Sequence, residues 1–194
     1  MSRSATVSRE TEETNVKLSV ELDGSGNAAI NTGVGFYDHL LESFAHHSLI
    51  DLEISTEGDL HIDEHHTVED TALVLGSGLA EALGDRAGIQ RFGSATVPMD
   101  EALATAAVDV GGRPYAVIDI DFATERLGQL GTQMIPHALE ALARTAGFTI
   151  HVTARGGNDH HIAEAAFKAL ARAVRAAVAA DPRRTGVAST KGTT

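Results

Sequence analysis

Two copies of one histidine–glutamate pattern carry the chemistry of this 194-residue chain, which has ten histidines and no cysteine. His65-His66-Thr67-Val68-Glu69 and His160-His161-Ile162-Ala163-Glu164 both read His-His-x-x-Glu. On a helix, residues four apart share a face, while neighbours diverge by about 100°. His65 can therefore converge with Glu69, and His160 with Glu164, while His66 and His161 point elsewhere. A single motif of this kind is a weak signal. Two of them, each following a histidine on an earlier helix (His39 and His137), make metal binding the leading reading.

One helix cannot easily aim both members of a His-His pair at one ion, so two ions drawing on both halves satisfy the geometry. The duplication assigns His65, Glu69, His137 and His161 to one ion, and His160, Glu164, His39 and His66 to its counterpart. Three imidazoles and a carboxylate, without sulfur, suit Mn²⁺, Fe²⁺ or Zn²⁺ and suit Ca²⁺ poorly. If six-coordinate, each ion keeps positions for water or substrate, which implies catalysis. His46, His47, His61 and His151 lack such partners and read as surface or core residues. Asp63, Glu64 and Asp70 read as solvated charge or as partners behind the ligands.

The elements that must position these groups repeat. A shift of 98 residues lays His39-Leu40-Leu41-Glu42 on His137-Ala138-Leu139-Glu140, and Ile50, Leu52 and Ile54 on Phe148, Ile150 and Val152. A three-residue deletion then changes the shift to 95 and superposes the two His-His-x-x-Glu motifs. Each half reads as a helix with one histidine, a strand, a loop and a second helix. Val16, Leu18, Val20 and Leu22 alternate toward Asp23-Gly24-Ser25-Gly26, and Ala28 and Ile30 beyond it predict a hairpin. Ala104 to Val110 and Tyr115 to Ile120, around Gly111-Gly112-Arg113-Pro114, predict another. The long helices are expected from about His66 to Leu83 and His161 to Ala180, the second capped by Asn158-Asp159 and ended at Asp181-Pro182. The expected fold is α+β and internally duplicated, each half a small, mostly antiparallel sheet covered by two helices. The divisions fall at 1–93, 94–182 and a polar tail, 183–194.

The net charge of −12, from 27 acidic and 15 basic residues, argues against a general nucleic-acid-binding face. Without cysteine, disulfides, thiolate zinc sites and cysteine nucleophiles are excluded. No apolar run approaches the roughly 18–20 residues of a membrane span. Met1-Ser2-Arg3-Ser4-Ala5-Thr6 lacks the apolar segment of a secretory signal, so the default expectation is a cytoplasmic protein. An anionic substrate would need a local cluster of cations. The candidates are Lys168, one turn beyond Glu164, with Arg91, Arg113, Ser189 and Lys191. Each also has an ordinary reading, as a helix-surface lysine, a turn arginine or part of a flexible tail.

Gly35-Phe36-Tyr37-Asp38-His39-Leu40-Leu41 and His61-Ile62-Asp63-Glu64-His65-His66-Thr67-Val68-Glu69-Asp70 closely resemble the imidazoleglycerol-phosphate dehydratase family of histidine biosynthesis. So do Gly112-Arg113-Pro114-Tyr115, the run from His160 to Lys168, and Ser189-Thr190-Lys191-Gly192. The likeness spans nearly the whole chain. It implies conversion of D-erythro-imidazole glycerol phosphate to imidazole acetol phosphate, with two Mn²⁺ ions per active site. It also implies an octahedral shell of 24 identical subunits with sites at subunit contacts. The eight histidines and glutamates above would be the metal ligands, with Glu69 and Glu164 also part of the catalytic machinery. Arg91, Arg113, Lys168, Ser189 and Lys191 would hold the substrate phosphate, and Glu13 would reach the reacting part of the substrate and move a proton. The chain departs from the usual pattern at Pro136, in a slightly short loop from Arg155 to Asp159, and in Ser-Thr-Lys where Ser-Ser-Lys is commoner. A two-metal phosphate-ester hydrolase and a ferritin-like metal store are the competing readings, and the alternating strands argue against the second.

Overall fold

The computed structural model describes residues 3–192; Met1, Ser2, Thr193 and Thr194 lie outside the described residues. The first sheet is built from β1 (Ser4–Glu10), β2 (Thr14–Glu21), β3 (Ala28–Asn31) and β4 (Asp51–Gly58), in the order β1-β2-β4-β3. The second repeats that order with β5 (Phe92–Met99), β6 (Ala102–Asp109), β7 (Tyr115–Ile120) and β10 (Thr149–Arg155), as β5-β6-β10-β7. Between β7 and β10 run the two-residue strands β8 (Arg126–Leu127) and β9 (Leu130–Gly131), which pair with each other. Helices α1 (Gly35–Ser48) and α3 (Met134–Ala146) cross over within their halves, and α2 (His65–Leu83) and α4 (Asp159–Val178) follow the central strands. The architecture is α+β, with the same unit used twice.

Alternation makes each sheet one-sided. On β2, Val16, Leu18 and Val20 are buried while Lys17 and Ser19 face out; on β6, Ala102, Ala104, Ala106 and Val108 are buried. Period-two patterning puts those residues on the face that the helices cover. The second half reaches its packing through small residues: β6 presents three alanines and a valine to α4, whose own buried face includes Ala166, Ala169, Ala173 and Ala177. Gly93 of β5 completes this approach, because a Cβ there would stand 2.0 Å from the Ala173 carbonyl oxygen. Gly76 does the same between α2 and α3, where a Cβ would lie 2.1 Å from Thr145 Oγ1. The core is therefore continuous across both halves, with α2 packed on α3 and α1 on α4.

Both expected hairpins are absent. β3 pairs in parallel with β4 rather than with β2, and β7 pairs in parallel with β10 rather than with β6. In each half the chain leaves the sheet, crosses over through a helix and inserts the returning strand between the two that the turn had suggested were neighbours. A local turn signal cannot anticipate a strand that arrives 20 or more residues later; the parallel pairing requires just such a crossover. The turn residues still have partners, since Asp51 at the head of β4 accepts the backbone N–H groups of Ser25 and Asn27 at 2.8 and 2.7 Å. The α4 helix starts and ends two residues earlier than expected, at Asp159 and Val178, with the Asn158 side chain accepting the His160 N–H. The tail returns to the segment that joins α2 to β5: Ala87 bridges to Val187, and Ile89 bridges to Ala180 just ahead of the tail.

Candidate metal and anion site

The packing of α2 on α3 brings His137 beside the first turn of α2. The His65 and His137 rings stand 4.8 Å apart, and the Nε2 of each lies 3.7 Å from Glu69 Oε2. The other Glu69 oxygen accepts from Arg144 at 3.0 Å. Burial pushes the Glu69 carboxyl up, but the Arg144 hydrogen bond and the nearby His137 charge outweigh it and lower its pKa.

The packing of α1 on α4 builds the twin. His160 Nε2 and His39 Nε2 lie 2.7 and 3.0 Å from Glu164 Oε1, and Lys168 Nζ lies 2.6 Å from Oε2. Phe36 lies against both rings, 5.0 Å from His160 and 5.9 Å from His39. Burial again raises the carboxyl, and the hydrogen bonds from Lys168, His39 and His160 overcome it, holding Glu164 at about 2. Both groups thus share one plan, with one carboxylate oxygen facing two imidazoles and the other facing a cation.

These donor sets fit a divalent ion. In each trio the ligand atoms all lie within 4.8 Å of one another. His137 Nε2 is buried without a hydrogen-bond partner. An orphaned buried nitrogen beside a second imidazole and a carboxylate is what a coordination site leaves when described without its ion.

His66 and His161 do not join these trios within one chain. They leave their helices about 100° around from His65 and His160, and the ring planes stand at 82° and 87° to those of these neighbours. His66 Nδ1 lies 3.0 Å from Asp59 Oδ2, with its Nε2 3.8 Å from Glu13 Oε1. His161 Nδ1 lies 2.9 Å from Glu101 Oε2. These carboxylate bonds raise the pKa of both histidines, and the bond to His161 holds Glu101 down at about 2. The discarded histidines, His46, His47, His61 and His151, enter no metal-sized group among the described residues.

Of the five expected phosphate contacts, four meet. Arg91, Arg113, Ser189 and Lys191 line a cavity of about 450 Å³. Arg91 is held by Asp109 through bonds of 2.7 and 3.0 Å and donates to the Ala188 carbonyl at 2.6 Å, which draws the tail across the turn carrying Arg113. Lys168 lies apart from these four, on Glu164. Asp63, Glu64 and Asp70 touch none of the imidazole rings: Asp63 caps the His65 N–H, Glu64 pairs with Arg126, and Asp70 accepts from Arg9 and Thr14. Asp59 and Glu101, which bond the His66 and His161 rings, Asp100, 3.9 Å from His161 Nε2, and the cation Arg144 were missed. For Glu101 a signal existed. β2–β4 pairs Leu18 with Ile54, and β6–β10 pairs Ala106 with Val152, so a shift of 88 relates the hairpins and carries Glu13 onto Glu101.

A family model described as imidazoleglycerol-phosphate dehydratase matches residues 32–174. A protein of that name from Acidiphilium cryptum is 53% identical over 194 residues, covering 99% of each chain. Its namesake from Methanosarcina mazei is 53% identical over 191 residues, covering 98% of this chain and 99% of the relative. Among solved structures, the dehydratase from Staphylococcus aureus aligns with a TM-score of 0.83 at 36% identity, covering 92% of this chain and 99% of the other. The one from Pyrococcus furiosus, in complex with (S)-C348, aligns with a TM-score of 0.83 at 34% identity, covering 97% and 100%. Fold, paired groups and relatives together define an enzyme of the hydro-lyase class on a duplicated α+β frame. The chain belongs to the imidazoleglycerol-phosphate dehydratase family. Among the described residues no helix is long and apolar enough to cross a membrane.

Proposed function

We propose that this chain dehydrates D-erythro-imidazole glycerol phosphate to imidazole acetol phosphate in histidine biosynthesis, using two divalent ions, Mn²⁺ by preference. The observation that carries the reading is the pair of matched trios, His65-Glu69-His137 and His39-Glu164-His160, one of them with an orphaned imidazole nitrogen. Each trio would hold one ion, and His66 and His161, turned away from both within the chain, would serve as fourth ligands to ions of neighbouring copies. That geometry supports a homo-oligomer with sites at subunit contacts, of which the octahedral 24-subunit shell is the family form. The substrate is a phosphorylated metabolite that does not cross membranes freely, which supports a cytoplasmic setting.

The reaction removes the hydroxyl on the carbon beside the imidazole ring and a proton from the next carbon; the resulting enol becomes the ketone. Ions held by the two trios would supply Lewis acidity. The residues of the chain supply the rest. Arg113, Ser189 and Lys191 clamp the phosphate at the far end, Arg91 fixes the tail that brings two of them there, and Lys168 reaches the site beside Glu164. Glu69 and Glu164, each steadied by a cation on its second oxygen, keep their carboxylates ionised and turned toward the imidazoles. Glu13, on the exposed turn before β2 with its side chain 54% accessible, is free to approach a substrate and carry a proton at its carboxylate.

The test is turnover of imidazole glycerol phosphate by metal-stripped protein, with and without Mn²⁺, reading both the ketone and inorganic phosphate. Ketone formed only with Mn²⁺, and no phosphate released, is the expected result. Phosphate release would move the chain to a hydrolase reading, and no ketone from metal-loaded protein would end the proposal.

A further inference from the structure

His66 and His161 differ from the other four histidines of the site in what holds their rings. His65, His137, His39 and His160 all turn Nε2 toward a glutamate of their own trio. His66 and His161 instead spend Nδ1 on a carboxylate outside it: Asp59 Oδ2 at 3.0 Å and Glu101 Oε2 at 2.9 Å. The two carboxylates do not correspond in the repeat. Asp59 follows the central strand β4, while Glu101 sits in the turn between β5 and β6, at the position that Glu13 takes in the first half. The loop after β10 holds no aspartate: Gly156, Gly157 and Asn158 make it three residues (156–158) against six (59–64) in the first half, and Asp159 beyond it accepts from Ala123 and Thr124.

That shortened loop is what lets Glu101 reach. A Cβ on Gly156 would stand 2.7 Å from Ala102 Cβ, so only glycine allows the loop to lie this close to the head of β6. From there Glu101 Oε1 accepts the backbone N–H groups of Gly157 and Asn158, at 3.2 and 2.8 Å. With one oxygen held by two backbone donors, the other is fixed against His161.

We propose that Glu101 is a positioning residue: by accepting the Nδ1–H of His161 it fixes the ring in the tautomer and orientation that leave Nε2 free for a divalent ion, as Asp59 does for His66. An imidazole bound through Nε2 must carry its proton on Nδ1, and a carboxylate acceptor there holds both the proton and the plane of the ring. The inference rests on the metal reading above.

Glu101→Gln tests it on the full-length assembled protein. The amide has one acceptor oxygen, and the two backbone donors of the loop claim it. The NH₂ group then faces His161 Nδ1, which becomes an acceptor, and the ring proton moves to Nε2, where it blocks coordination. Mn²⁺ affinity, read from the electron-spin resonance of free Mn²⁺, should fall about 10–100-fold. In the metal-free protein the ¹⁵N resonances of the His161 ring should exchange their protonated and unprotonated positions. Glu101→Ala, which removes the acceptor whichever way an amide would turn, should also weaken Mn²⁺ binding. A residue that merely stapled the loop would change thermal stability and leave the ring resonances and Mn²⁺ affinity as they were. Unchanged affinity in both variants, with wild type binding Mn²⁺ normally, overturns the inference and leaves the function standing. Wild type that binds no Mn²⁺ overturns the functional reading and this one together.

Discussion

The two halves share a strand order and a helical plan, yet they spend the same glutamate differently. In the first half Glu13 lies on the turn before β2, exposed and 3.8 Å from His66 Nε2, and Asp59 holds the other side of that ring. In the second half the equivalent Glu101 is tied to two backbone amides and to His161 Nδ1, and its exposed neighbour on that turn, Asp100, lies 3.9 Å from His161 Nε2. Duplication supplied two equivalent hairpin glutamates. With Asp59 after β4 on His66 Nδ1, Glu13 is left on the Nε2 side of that ring; with glycines after β10, Glu101 itself takes His161 Nδ1. The symmetry of the two histidine–glutamate trios therefore coexists with a different assignment of carboxylates around His66 and His161.

The most damaging way to break that comparison is to remove a shared element. His137→Ala takes away the orphaned Nε2 and nothing that bonds the fold together at that atom. Mn²⁺ binding at that trio and turnover should both fall by more than the roughly 100-fold that attends loss of a residue behind a ligand, while thermal unfolding of the metal-free protein shifts little. Equal activity in the variant would remove His137 from the site.

Glu13→Gln separates the halves. The variant should bind Mn²⁺ like wild type and lose roughly 10²–10⁴-fold in kcat, the usual worth of a positioned acid or base. Set beside Glu101→Gln, which should act on Mn²⁺ affinity, it divides one repeat position into two roles. A Glu13→Gln variant whose loss lay in Mn²⁺ affinity would show that the two glutamates had not diverged.

How much of this was legible beforehand follows from sequence distance. The trios were readable because Glu69 and Glu164 lie four residues from His65 and His160, within one helical turn, and because His39 and His137 recur at a constant shift. The expected hairpins failed because β4 and β10 enter between their neighbours only after a helix, so the decisive pairing is not local. Glu101 escaped notice because it reaches His161 across 60 residues, at a shift of 88 where the helices repeat at 98 and 95. Arg91 was visible as a cation, but its bonds to Asp109 and to the Ala188 carbonyl depend on where the tail returns, which polar, aperiodic residues do not announce.

A third contrast lies in the packing. The shift of 88 places Gly93 opposite Ala5, and both face a long helix from the edge strand of their sheet. Ala5 is buried with its methyl accommodated, while a methyl on Gly93 would meet the α4 backbone. Gly93→Ala should therefore cost about 1–3 kcal/mol of stability by overpacking, and Ala5→Gly less, as measured by urea unfolding. Equal costs would mean that α4 can back away from β5 as readily as α2 accommodates Ala5.

The smallest effect concerns the turn ahead of each parallel strand. Asp51 and Thr149 are related by the shift of 98, and each opens the central strand of its sheet. Asp51 holds its turn with a carboxylate that accepts from Ser25 and Asn27; Thr149 holds the other by donating its hydroxyl to the Arg113 carbonyl at 2.9 Å. The backbone hydrogen bonds from Asn27 and Ser25 lower the Asp51 pKa. A carboxyl lowered in the folded state contributes stability that is fully present above its unfolded pKa and is lost as pH falls through the folded one. Acid should therefore loosen the first turn and spare the second, whose clasp carries no charge. In an NMR titration below pH 5, the Ser25 and Asn27 amides should shift with a midpoint under the ordinary aspartate pKa, and the residues around Arg113 should show no such step. Asp51→Asn should abolish the step at Ser25 and Asn27. A titration that survived that substitution would assign the acid sensitivity to another carboxylate and leave the two turns equivalent.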